Sequence, residues 1–135
     1  MKSYHPTIQK LFDRVWNKQE LSLLGELFSS NLKLHYGDAT VDSLEDFREM
    51  LKAFFSGFPN IFHAIDDYIE NGNRIVTRWH GKGIQTGDYA EIPAGNKEFH
   101  YSGITIFILD IDKENNRSMD LFGYYRATVY TQKLN

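Results

Sequence analysis

Near the start of the chain, apolar side chains recur every three or four residues, at Ile8, Leu11, Phe12, Val15 and Trp16. That spacing sets them on one face of a helix. Burying such side chains is worth roughly 1.5–3 kcal/mol each, so the face demands a partner surface. Leu21, Leu24, Leu27 and Phe28 predict a shorter second helix after a break near Asn17–Gln19. Leu32, Leu34 and Tyr36 instead alternate with polar residues, the period of a short strand. The clearest helical run follows, where Leu44, Phe47, Met50, Leu51, Phe54, Phe55 and Phe58 keep helical spacing. Ser43 is placed to cap its start, Glu45 and Asp46 suit the positive end of the helix dipole, and Gly57 and Pro59 stop it.

Beyond Pro59 the pattern is that of strands. Ile61–Ile69 leads into Glu70-Asn71-Gly72-Asn73, and Asn-Gly is a strong hairpin signal because both residues tolerate positive φ. Arg74–Ile84 is the return strand, rich in β-branched residues and carrying Trp79. Gly87–Lys97 contains Pro93, Gly95 and Asn96 and reads as a loop or short hairpin. Lys97–Asp110 and Arg117–Thr131 read as long strands joined by a polar turn at Asp112–Asn116. Helices first and an antiparallel sheet afterwards predict an α+β fold whose helices cover one sheet face. No repeat, linker or low-complexity segment divides residues 1–135, so a single domain is expected, long enough to bury a core without staples.

Composition narrows the function classes. Apolar residues make up 41% and aromatic residues 15%, as in a globular protein. The 15 basic and 18 acidic residues give a net charge of −3 without long runs of either sign, which disfavours nucleic acid as a partner. The absence of cysteine removes disulfides, thiolate chemistry and thiolate metal sites. No run approaches the ~18 apolar residues of a membrane span, and Met1–Pro6 lacks an apolar leader core. A cytoplasmic protein with no membrane partner is expected.

Several segments in order resemble one family. Phe12-Asp13-Arg14-Val15-Trp16-Asn17 with Leu24-Gly25-Glu26-Leu27-Phe28 is similar to the opening of the SnoaL-like polyketide cyclases, a branch of the NTF2-like superfold. The likeness continues through Phe54–Pro59, Asn73–Trp79, Gly83–Tyr89, Ile92-Pro93 and Ser102–Phe107. It implies three N-terminal helices packed on a curved antiparallel sheet, a cone enclosing a pocket for a small apolar or polyketide-like carbonyl compound, and a homodimer formed through the sheet. It calls for no cofactor.

The last strand departs from the family pattern, which runs Glu-x-Trp-Asp-x-x-Asp. Aligned backwards from Gln132 and Leu134, this chain has Asp120, Phe122, Gly123 and Arg126 there. The resemblance places the general acid/base of an intramolecular aldol closure at Gly123, which has no titratable group. Histidines of some members become Leu121 and Thr105. A lone substitute needs a pKa near the operating pH, which histidine has unperturbed. His35, at a strand end before Gly37-Asp38, is the candidate, against the plainer reading of a surface histidine. His63, beside Phe62, reads as structural. His80, His100 and Asp120 sit on neighbouring strands and would gather on the face away from the helices, but their spacing does not make a metal site.

Strand alternation predicts the pocket. If Thr105 faces the helices, so do Tyr101, Gly103, Phe107 and Leu109, with Leu121, Gly123 and Tyr125 beside them. The expected pocket is therefore His35, Tyr101, Thr105, Phe107, Gly123 and Tyr125, unless the rings merely fill the cone. The other face would carry Phe122 and Tyr124 beside Ile104, Ile106 and Ile108, an apolar patch suited to a two-fold dimer, with Arg126 pairing with Asp120 or Asp110. A divergent cyclase- or isomerase-like lyase and a non-catalytic binding or purely structural dimer both fit the sequence.

Overall fold

The computed structural model describes residues 3–36, 39–89, 92–109 and 118–129, the last of these as backbone only. The chain opens with α1 (Pro6–Lys10), where Pro6 occupies the first turn and the His5 ring accepts from the Thr7 N–H at 3.1 Å. The helix continues as a π-helical segment, Leu11–Trp16, that closes with the Asn17 N–H on the Phe12 carbonyl at 3.0 Å. Such widened turns commonly mark functional sites. A 3₁₀ turn at Leu21–Leu23 and the short α2 (Leu24–Leu27) replace the second predicted helix. Phe28, expected at its end, is already extended and opens the first strand.

That strand, β1 (Phe28–Tyr36), pairs with the short β2 (Ala39–Val41). Then α3 (Leu44–Gly57) runs as predicted, with the Ser43 hydroxyl accepting from the Asp46 N–H at 3.1 Å. β3 (Phe62–Asn71), β4 (Arg74–Ile84), β5 (Glu98–Ile108) and β6 (Ser118–Val129) complete a six-stranded sheet in the order β2-β1-β6-β5-β4-β3. The fold is α+β, as the pattern predicts. One pairing differs from an all-antiparallel sheet, since β1 runs parallel to β6. α3 and the strands β2, β3, β4 and β5 lie between them in sequence, a crossover long enough for the chain to return in the same direction.

The hairpin between β3 and β4 sits one residue later than Asn-Gly would place it. Its loop is Gly72-Asn73, and of the turn residues only Gly72 takes positive φ, at 62°. A glycine first in a two-residue loop supplies the twist that flanking strands need. Farther along, the β3–β4 register slips between Ile65 and Asp67, leaving Asp66 as a bulge. The slip inverts the alternation of β3, so Tyr68 turns inward. There its hydroxyl accepts from the His5 N–H at 2.8 Å and donates to Glu70 at 2.6 Å, tying the start of α1 to the sheet.

The core lies between the helices and the inner sheet face. Ile8, Val15, Leu24, Phe28, Leu32 and Leu51 are fully buried there with Ile75 of β4 and Phe107 of β5. No helix among the described residues is long and apolar enough to cross a membrane.

Candidate functional site

Register across β3, β4, β5 and β6 arranges the inner face in rows. His63, Gly81, Tyr101 and Ala127 form one row, followed by Ile65, Trp79, Gly103 and Tyr125. Next come Tyr68, Thr77, Thr105 and Gly123, then Ile75, Phe107 and Leu121. Directly opposed residues of antiparallel strands share a face, so each row lies on one side of the sheet. The last row is closed by packing, with Phe107 1% exposed and Ile75 fully buried. Toward the first row, Trp79, Tyr101, Gly103 and Thr105 are only half-buried.

Polar groups sit where that face opens. The Trp79 Nε1–H donates to the Thr105 Oγ1 at 2.9 Å, fixing the hydroxyl inside the cone. The register puts Gly103 beside Trp79 and Gly123 beside Thr105, so two positions around this hydroxyl have no side chain. One row away, the Tyr101 hydroxyl and the His63 Nε2 are hydrogen-bonded to each other.

Gly81 explains how His63 and Tyr101 meet. They occupy β3 and β5, with β4 between them. A Cβ at Gly81 would lie 2.7 Å from the Tyr101 ring, closer than such atoms approach, and in tight contact with the His63 ring at 3.0 Å. Only the bare backbone lets both rings close over the middle strand.

The helices hold His63 from the other side. The Trp16 ring, at the end of the π-helical segment, lies 4.0 Å from the imidazole between centroids. The Asn17 side chain bonds both backbone groups of His63, donating to its carbonyl at 2.9 Å and accepting from its N–H at 2.7 Å. This also satisfies part of β3, an outer strand of the sheet with unpaired backbone groups. A cleft of about 170 Å³ between the π-helical segment and β3 borders on His63, lined also by Tyr4, Phe12, Asn17, Phe62 and Ile65.

His63 is 3% exposed, and its Nδ1 has no hydrogen-bond partner. Burial pushes its pKa down to about 3, with the charge of His80 adding to the effect, so the ring is neutral near pH 7.

The predicted site residues divide between faces. Tyr101, Thr105 and Phe107 turn toward the helices, and Gly123 and Tyr125 lie opposite Thr105 and Gly103 in the register, the Tyr125 side chain lying outside the described residues. His35 is not brought together with them. On β1, Leu32 and Leu34 are buried, whereas His35 alternates with them and shares its side with exposed Lys33. β6 stands between β1 and β5. His80 and His100 lie on the same outer face of the sheet, diagonal to each other rather than directly opposed. His80 opposes Ser102 and bonds Asp66 at 2.8 Å, while His100 opposes Lys82 and bonds Glu98 at 2.8 Å. The Asp120 part of that cluster, and the pairing of Arg126 with Asp120 or Asp110, fall outside the described side chains. What the sequence reading missed is the His63–Tyr101 pair. Its one legible trace is Gly81, a glycine inside a strand otherwise rich in bulky residues.

The sequence matches the SnoaL-like polyketide cyclase family over residues 7–124. No curated protein sequence matches it. Among solved structures, the fold is similar to a protein from Jannaschia sp. CCS1 provisionally described as a SnoaL-like polyketide cyclase. That pair has a TM-score of 0.78 and 17% identity, covering 93% of this chain and 91% of the other. A SnoaL-like polyketide cyclase from Agrobacterium tumefaciens superposes with a TM-score of 0.73 at 13% identity, covering 93% of both chains. An NTF2-like protein of unknown function from Exiguobacterium sp. 255-15 does so at 0.67 and 20% identity, covering 89% of this chain and 98% of the other.

Proposed function

Because the chain belongs to the SnoaL-like polyketide cyclase family, we propose that it holds a small apolar or polyketide-like carbonyl compound against the half-buried inner face of its sheet. The observation that carries this reading is the Thr105 hydroxyl, fixed by Trp79 and flanked in register by Gly103 and Gly123. Apolar walls with a few fixed polar groups are the common make-up of small-molecule sites.

Binding is favoured over aldol closure by Gly123, which offers no acid where the resemblance calls for one. His35 is left out of this reading because it alternates away from the buried side of β1. The test is a melting-temperature screen against aromatic ketones and polyketide-like compounds. A ligand at 100 times its dissociation constant adds about 2.7 kcal/mol of stability, a rise of several degrees for a chain of this size. No rise across such a panel would contradict the reading.

The outer sheet face supports a second element, a homodimer. Phe62, Ile69, Ile84 and Ile104 are all exposed there, Ile104 at 42%. Apolar exposure spread over one sheet face suits pairing with a second copy. Sedimentation velocity at micromolar concentration should give the mass of a dimer; a monomer would remove this element.

A further inference from the structure

We propose that the cleft between the π-helical segment and β3 is a second ligand site, outside the cone, that takes a small quaternary ammonium compound. It stands independently of the inner-face reading.

The widened helix builds one wall of the cleft. In a regular α-helix, residues five apart point about 140° away from each other. Here the Asn17 N–H closes on the Phe12 carbonyl five residues back, which keeps the two residues on one side of the helix. Both border the cleft of about 170 Å³, together with Gln9 and Asp13. β3 supplies the facing wall, where the exposed Phe62 ring lies on the outer strand of the sheet. Tyr4 adds a third aromatic ring, held against Tyr68 with centroids 4.8 Å apart.

The lining selects for positive charge. Aromatic rings attract cations, and grouped rings are the usual recognition device for quaternary ammonium ligands. Of the residues that line the cleft, Asp13 alone is charged near pH 7, because burial keeps His63 neutral. Asp13 is exposed and forms no ion pair among the described residues; its carboxylate accepts from the neutral Gln9 amide. Arg14, beside it in sequence, is instead paired with Glu20 at 2.8 Å. β3 carries Asp66, Asp67 and Glu70 and no lysine or arginine. A negative edge of this kind draws cations and repels anions, and a neutral compound gains nothing from it.

The probes are choline and 3,3-dimethyl-1-butanol, alike in shape but differing in charge. Titration followed by amide chemical shifts should show the wild-type chain binding choline about 10-fold more tightly than the alcohol. Asp13→Asn should cut choline affinity about five-fold and leave that of the alcohol unchanged. Tyr4→Leu, which stays apolar but removes the ring, should likewise weaken choline and not the alcohol. Nuclear Overhauser contacts from the choline methyl groups should reach the Tyr4 and Phe62 rings. 2-Acetylnaphthalene, as a ligand of the cone, should bind without displacing choline. Failure of the wild type to bind choline, equal affinity for the two probes, or choline affinity unchanged in Asp13→Asn would overturn the assignment. So would choline contacts to Trp79 and Thr105, or competition with the ketone, since either would move the cation into the cone. None of these failures touches the reading of the inner face as a ketone site.

Discussion

The two ends of the inner sheet face are built on different terms. At one end Ile75 is fully buried and Phe107 is 1% exposed, both part of the apolar core shared with the helices. At the other, His63, Trp79, Tyr101 and Thr105 are linked by hydrogen bonds and edge-on ring contacts, with Gly81 and Gly103 standing where side chains would otherwise pack. The strands are the same ones throughout. On the proposed reading, stability and recognition are separated along the strands: the packed row carries the fold, and the glycine-punctuated rows trade packing for placed polar groups.

Phe107→Ala should break the packed end and have the largest effect. Removing a fully buried phenylalanine costs about 3–5 kcal/mol, to be read from urea denaturation. A loss below 1 kcal/mol would mean that this end is no better packed than the other.

Acid should act through the open end. The folded pKa of His63 lies at about 3, below its ordinary 6.5, so the unfolded chain takes up a proton over this window and the folded one does not. Stability from this group is therefore complete above pH 6.5 and declines as pH falls toward 3, by up to about 1.4 kcal/mol per pH unit. Chemical denaturation as a function of pH should show this slope, and His63→Phe should flatten it.

A methyl group at Gly81 tests the gap between His63 and Tyr101. Gly81→Ala places a Cβ 2.7 Å from the Tyr101 ring, forcing it off the imidazole. Overpacking of this kind costs about 1–3 kcal/mol in melting experiments and should separate the pair. Thr105→Val, nearly isosteric, should have the smallest effect. It strips the Trp79 Nε1–H of its acceptor at a cost of about 1 kcal/mol and changes the tryptophan emission.

Much of this division was legible in the sequence. The three-and-four spacing of Leu44–Phe58 and the Ser43 cap specify α3, and strand alternation puts Tyr101, Thr105 and Phe107 on one side of β5. What escaped depends on pairing between distant segments. The parallel contact of β1 with β6 leaves no local mark in either strand. The bulge at Asp66, which has neither Gly nor Pro beside it, inverts β3 without warning. Beside Phe62, His63 looks like a core residue. Its bond to Tyr101 becomes visible only once β4 sets Gly81 between them. For His35 the sequence was silent in a related way, since a strand end before a loop says nothing about which side the ring takes.

Isotope-filtered nuclear Overhauser contacts from the methyl group of bound 2-acetylnaphthalene test most directly whether the open end is a ligand site. Cross-peaks to the side chains of Trp79, Tyr101 and Thr105 are the result expected. Cross-peaks confined to Ile69, Ile84 or Ile104 would place the compound on the outer face and contradict it.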